Sequence, residues 1–250
     1  MLLHNLKILV TRPARQAERL CTLLKTYGGE PLHLPTIEIV DVENNHSLHT
    51  CRLTSYDVVI FISSNAVEKA VPTLLAQQSF PPSLLVVAVG QRTFESLKDH
   101  GISALCPVPP FNSEQVLMMP QLQEIQGQHM VIFRGEGGRE LLAETLRQRG
   151  ATVQYINVYR RVQPSLPAWI TTEQIDIITV TSGEGLQNLF TMLEQQSWIR
   201  HTPLVVMSQR LVEIAHQLGV QAPIFIAPAA GDEGLVHAVL QAAKAKHQSD

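Results

Sequence analysis

The stretch "VIFRGEGGRELL", Val131 to Leu142, places two arginines and three glycines in a loop between an apolar strand and an amphipathic helix. The chemistry such a loop could do is anion holding, because the first N–H groups of a helix lack intrahelical partners and carry the positive end of its dipole. Spacing excludes two phosphate cradles. A dinucleotide fingerprint needs Gly-x-Gly-x-x-Gly, and after Gly135 and Gly137 the last glycine position holds Glu140. A P-loop ends in Gly-Lys-Ser/Thr, whereas this loop ends in Gly-Arg-Glu. Gly135, Gly137 and Gly138, with Arg134 and Arg139 as charged donors, therefore form a candidate anion loop that does not require a phosphate.

Five further loops have the same flavour. They supply Thr11 and Arg12 in "TRPAR", Ser63, Ser64 and Asn65 in "SSNA", Gly90 in "GQRT", Thr181, Ser182 and Gly183 in "TSGEG", and Ser208 and Arg210 in "SQRL". Hydroxyls, glycines and arginines dominate, and His, Cys and Asp are nearly missing from these loops. No nucleophile has a base beside it, and no two carboxylates are paired for acid/base work. Such loops can hold a polyanion by backbone and hydroxyl donors, and they supply little covalent chemistry. Ser63 has a second reading as the N-cap of the helix that begins near Asn65.

The elements that must position these loops occur twice in the chain. "LKILVTRPARQAERLCTLLKTYGG" (Leu6 to Gly29) shares its plan with "HMVIFRGEGGRELLAETLRQRGA" (His129 to Ala151): apolar strand, loop, amphipathic helix, and a glycine, Gly28 or Gly150, where the helix should stop. "DVVIFISSNAV" (Asp57 to Val67) parallels "DIITVTSGEGL" (Asp176 to Leu186), so that Ser63 matches Ser182. "LVVAVGQRTFESLKDHGI" parallels "LVVMSQRLVEIAHQLGV", with Gln91-Arg92 on Gln209-Arg210 and Gly101 on Gly219. Strands of five to seven residues alternating with helices of about ten predict an α/β protein of two similar halves, each a parallel sheet flanked by helices. The other reading is one larger doubly wound sheet. In either, ligands bind beyond the carboxyl ends of the strands, where all six loops lie. The segments "PLHLPTIEIVDVE" (Pro31 to Glu43) and "VQYINVYRRVQPS" (Val153 to Ser165) alternate apolar and polar residues, as two extended connectors forming a two-stranded bridge would.

Composition narrows the partners. The chain has 250 residues, enough for one or two domains, and a net charge of −3 with 16% charged residues. No long-range field draws it to nucleic acid or to an anionic membrane, so an anion site must be local. Cys21, Cys51 and Cys106 are unclustered, as expected of reduced thiols, and the ten histidines stand singly, without metal-ligand spacing. "MLLHNLKILVTRP" reaches a charge and a proline too soon for a signal-peptide core, and no apolar run approaches the ~18 residues of a membrane span. The expectation is a cytoplasmic protein without metal or membrane contact.

"ILVTRP", "FRGEGGREL", "INVYRRV" and "VTSGEGL", in this order and spacing, resemble the uroporphyrinogen-III synthase family over about Lys7 to Leu240. The resemblance implies two α/β domains joined by a two-stranded β-ladder. It assigns Met1–Leu34 plus Val162–Asp250 to one and Pro35–Arg161 to the other, where the repeats alone suggest a cut near residue 125. It further implies a cofactor-free cyclising lyase with its site in the inter-domain cleft. Hydroxymethylbilane, a linear tetrapyrrole bearing acetates and propionates, loses its terminal hydroxyl to give an azafulvene, then closes through a spiro-pyrrolenine with inversion of ring D. The resemblance also implies a monomer that receives its substrate by hand-over from hydroxymethylbilane synthase. Holding the carboxylates of a flexible chain suits the six loops.

Tyr159 matches the tyrosine that the family uses to assist departure of the hydroxyl. Its counterpart in the other half is Ile37, so the phenol is not part of the duplicated plan. The other reading of Tyr159 is packing of the ladder. Ser63 and Ser64 resemble the hydroxyl-bearing loop of the family's second domain. At "MSQRL" the sequence departs from members with a threonine pair; Arg210 stands there either as a carboxylate partner or as a solvated first-turn arginine, and Arg160 and Arg161 are expected to face solvent. A non-catalytic two-domain small-anion binding protein is the alternative class, which the absence of a signal peptide opposes. A nucleotide-dependent transferase is opposed by the broken glycine fingerprint.

Overall fold

The structure, a computed structural model, describes residues 3–171 and 173–247. The chain opens with β1 (Lys7–Val10), α1 (Ala14–Thr26) and β2 (Glu30–His33). It continues through β3 (Glu38–Asp41), α2 (His46–His49), β4 (Val58–Phe61), α3 (Ser64–Leu75), β5 (Leu85–Ala88), α4 (Gln91–Asp99), α5 (Ser113–Leu117), β6 (His129–Gly135), α6 (Leu141–Gln148) and β7 (Thr152–Val162). It closes with β8 (Ile177–Val180), α7 (Gly183–Met192), β9 (Leu204–Val206), α8 (Gln209–Gln217), β10 (Ile224–Ile226) and α9 (Asp232–His247). The chain forms two compact units, Met1–Glu38 with Val162–Asp250, and Ile39–Arg161.

The sheet of the first unit runs β10-β9-β8-β1-β2 and that of the second β3-β7-β6-β4-β5. Placing β1 on β6, β2 on β7, β8 on β4 and β9 on β5 superposes the two strand orders, and in the place of β10 the second unit has a parallel bridge from Val87 to Leu105. The duplication thus extends to topology, and two α/β halves replace the single doubly wound sheet. Gly28 and Gly150, at φ +85° and +88°, end α1 and α6 in the same left-handed conformation.

Alternate strand residues feed opposite faces of each sheet. Ile8 and Val10 pack with α1 and α9, while Leu9 packs with α7 and α8. In the second unit Val59 and Phe61 join the side of α3 and α4, and Val58 and Ile60 that of α5 and α6. Burial on both faces explains why these strands read as unbroken apolar runs. Most paired strands span three or four residues, shorter than the runs that predict them, because the run ends leave the ladder for loops.

The segment from Pro31 to Glu43 is not one connector. Its first part belongs to β2, a parallel edge strand, where a proline costs no ladder bond on the open side. Its second part, β3, lies beside β7 as the edge strand of the second unit's five-stranded sheet, so these two segments do not form a separate two-stranded bridge.

Candidate functional site

In the second unit, β4, β5 and β6 end together, and Ile62, Val89, Ile132 and Leu142 floor a cavity of about 200 Å³ there. Its polar lining is Arg134, Gly138, Arg139, Ser113 and Tyr155. Ligand pockets usually run from ~300 Å³ upward, so this one suits a single substituent of a larger molecule.

The two arginines of the glycine loop have different fates. Arg134 is 5% exposed; it donates to Glu140 Oε1 at 2.8 Å and to the Gly135 carbonyl at 3.2 Å, and also bonds the Gly137 carbonyl. Its guanidinium lies 4.3 Å from the centre of the Tyr155 ring. Arg134 is therefore first a clamp that shapes the loop, with three of its five N–H donors bonded inside the protein. Arg139 is exposed, 3.7 Å from Glu114, and available at the cavity mouth. The Arg134 hydrogen bond, and next the Tyr155 hydroxyl, hold the Glu140 carboxyl below its ordinary range. Among the described residues no partner meets the buried Tyr155 hydroxyl at full hydrogen-bond geometry. Burial, then the nearby Glu140 carboxylate, push its pKa up.

Gly137 and Gly138 adopt φ of +73° and +103°, and a Cβ on Gly138 would stand 3.1 Å from the Arg134 guanidinium. Gly135 is buried and serves Tyr159. A Cβ there would lie 2.5 Å from Tyr159 Cε2, so only glycine lets the ring settle on the backbone. A shift in register between Arg134 and Gly135 pairs Arg134 with Asn157 and Gly135 with Tyr159, skipping Val158. Strict alternation would place Tyr159 on the side of Tyr155. The bulge instead turns it to the side of Val158, Phe61 and Phe133. Tyr159 is 2% exposed, and its hydroxyl lies 3.1 Å from Ser63 Oγ. The ring is thus a packing element, and the hydroxyl reaches the surface loop only through Ser63, which is half-buried.

Ser63 caps α3, its Oγ accepting from the Ala66 N–H at 3.2 Å, and Ser182 caps α7 in the same way at 3.0 Å. The caps leave the Ser64 and Asn65 N–H groups outside the helix's own bonding. Gly90 stands at the N-cap of α4, and Ser208 at that of α8 without a side-chain cap bond. Thr181 and Gly183 are half-buried beside exposed Ser182, and Arg210 is exposed in the first turn of α8, as Arg92 is in α4. Arg160 and Arg161 are exposed as well.

Thr11 and Arg12 do not belong with these. Thr11 is 3% exposed and donates its hydroxyl to the Thr179 carbonyl at 2.8 Å, tying β1 to β8. Arg12, 8% exposed, is ion-paired to Asp232 at the start of α9. Both help to hold the first unit together, while Arg12 Nε is buried without a hydrogen-bond partner among the described residues.

Ser113, Glu140, Tyr155 and Asp232 were missed by the sequence reading. Tyr155 alone carried a signal: it alternates with Val153 on the strand after the glycine loop, on the face that α6 covers. Among the described residues no group of three or more His, Cys, Asp or Glu could hold a metal ion, and no helix is long and apolar enough to cross a membrane.

The family model described as Uroporphyrinogen-III synthase HemD matches residues 18–237. Uroporphyrinogen-III synthase of Escherichia coli (strain K12) is 34% identical over 247 residues, covering 94% of this chain and 100% of that protein. The protein of that name from Proteus mirabilis is 38% identical over 63% of this chain and 81% of its own. A solved structure of mutant uroporphyrinogen III synthase from Thermus thermophilus matches with a TM-score of 0.65 at 15% identity, covering 96% of this chain and 99% of that one. One from Helicobacter pylori 26695 matches with a TM-score of 0.60 at 16% identity, covering 94% and 99%. At such identities the structural likeness speaks for the fold. With the family model and full-length relatives in agreement, the chain belongs to the uroporphyrinogen-III synthase family, enzymes of tetrapyrrole and haem biosynthesis.

Proposed function

We propose that the chain converts hydroxymethylbilane to uroporphyrinogen III and water without a cofactor, as a cyclising carbon–oxygen lyase. The observation that carries this reading is the match to synthases along their whole length. The non-catalytic anion-binding alternative is not favoured beside it. The loops support the reading in their own terms. Exposed Gly137, Gly138, Arg139, Ser182, Ser208 and Arg210 offer amide, hydroxyl and guanidinium donors to carboxylates, and the small cavity beside Arg139 has room for one acetate or propionate arm. Loss of the hydroxyl generates the azafulvene. Attack at the substituted carbon of ring D, fragmentation of the spiro-pyrrolenine and reclosure invert that ring. The protein's share is to fold the chain, hold its carboxylates and assist departure of the hydroxyl through the Tyr159–Ser63 pair. It acts in the cytoplasm as a monomer, on a small molecule handed over by hydroxymethylbilane synthase, with no nucleic-acid or membrane partner.

The test of cofactor independence is turnover of hydroxymethylbilane by protein dialysed against chelator and freed of bound small molecules. Full retained turnover is expected. Activity that vanishes on dialysis and returns with a metal or small-molecule extract would overturn that part of the reading.

A further inference from the structure

The hydroxyl pair at the end of β4 can be ordered by counting donors. Tyr159 is 2% exposed, and its oxygen has Ser63 Oγ, at 3.1 Å, as its hydrogen-bond partner among the described residues. A buried phenol whose proton pointed elsewhere would be an unsatisfied donor, so the phenol donates to the serine. Ser63 Oγ also accepts from the Ala66 N–H. A serine hydroxyl has two acceptor sites and one donor. Both acceptor sites are filled from behind, one by the helix and one by the core. The single O–H left is that of Ser63, on a half-buried residue at the carboxyl end of a central strand.

We infer that Ser63 is the catalytic residue that touches the leaving hydroxyl, and that Tyr159 is a positioning residue which supplies protons through it. This rests on the proposed reaction. The Ser63 proton passes to the hydroxyl oxygen of the substrate, whose C–O bond breaks so that it departs as water. The Tyr159 proton moves to Ser63 Oγ. The pyrrole nitrogen electrons replace the lost bond, leaving an azafulvenium opposite a phenolate. When ring D later gives up the proton of its unsubstituted carbon during reclosure, that proton returns along the same two oxygens and both residues are restored. Two hydrogen bonds accepted by one oxygen polarise the O–H it donates, which favours the first transfer. The Gly135 seat and the bulge beside it hold the phenol within reach of the serine.

The test measures turnover, product isomers and solvent isotope effects on purified, folded full-length variants. Ser63→Asn keeps a good helix cap and cannot relay a proton, so it should lose about 10²–10⁴ in turnover, and its product should shift to the type I isomer that the substrate forms unaided. Ser63→Thr, which caps and relays, should recover to within about tenfold of the native protein. Tyr159→Phe should lose a similar factor to Ser63→Ala, and the double variant should be within about threefold of the worse single one, because groups acting in series are lost once. The native enzyme should show a curved proton inventory in mixed light and heavy water, from two protons in flight. Near-native turnover in Ser63→Asn, losses that multiply in the double variant, or a linear inventory would each overturn the relay. Failure of the native protein to make any type III product would instead sink the proposed reaction itself.

Discussion

Gly135→Ala tests the seat of Tyr159 most sharply. The added Cβ would stand 2.5 Å from Tyr159 Cε2 and 2.6 Å from Cζ. Ordinary carbon contacts begin near 3.5 Å, so the ring must move by about 1 Å. It is held on its other sides by the buried cluster that includes Phe61 and Phe133, whose rings stack at 5.0 Å, and cannot swing into solvent. Overpacking of this kind costs about 1–3 kcal/mol, and the strained Ser63 hydrogen bond adds about 1 kcal/mol. At about 2–4 °C per kcal/mol for a chain of this size, Tm should fall by about 4–16 °C. A 1 Å misplacement of the hydroxyl should also lower turnover by about 10²-fold in the protein that stays folded. Calorimetry and isomer analysis at a temperature where the variant is fully folded measure both. Gly101→Ala is the control, with φ of +75° and open space around the new Cβ. It should cost only its backbone strain of about 1–2 kcal/mol and leave turnover per folded molecule intact. If Gly135→Ala matches the native protein in Tm and turnover, the seat is not what fixes the phenol.

Three further outcomes are expected. Asp232→Ala leaves Arg12, 8% exposed, as an unpaired buried charge and should cost about 3–5 kcal/mol by denaturant titration; a change below about 1 kcal/mol would show that the pair holds nothing. Arg139→Glu, at an exposed position, should raise the Michaelis constant more than it lowers turnover, with Tm within about 1 °C of native, and an unchanged constant would remove Arg139 from substrate binding. Burial pushes the Cys51 thiol from 9.0 up to about 11, so its contribution to stability is complete below pH 9 and is lost as the pH rises through 9 to 11. Thiol titration at pH 8 should find Cys51 unreactive until unfolding, and rapid labelling in the native state would contradict its burial.

Much of the fold was legible because it is locally encoded and stated twice. Asp57 and Asp176 open matching strands, Ser63 and Ser182 cap matching helices, and Gly28 and Gly150 end matching ones with the same positive φ. Each such signal lies within one strand–helix unit, so no distant contact is needed to read it. The site was less legible because its arrangement depends on contacts distant in the chain. Arg12 and Arg134 look alike in sequence as arginines just after a strand. Arg12 pairs with Asp232, 220 residues further on, whereas Arg134 pairs with Glu140 only six residues on, in a loop whose shape depends on the positive φ of Gly137 and Gly138. Tyr159 faces Ser63 only because the register slips by one residue at Gly135, and alternation along β7 would have sent it to the opposite side. The β2 edge strand was hidden for a related reason: the segment from Pro31 reads as a single extended connector until its pairing with β1 at the sheet edge is known.

Direction of ring closure in a linear tetrapyrrole is the activity on which every role above depends. Its most direct test is a single-turnover incubation of freshly prepared hydroxymethylbilane with excess purified protein, oxidised and separated by isomer, alongside a protein-free control. Essentially pure type III product is expected, formed faster than the control closes to type I. Type I product at the control rate, with the protein folded and present in excess, would contradict it.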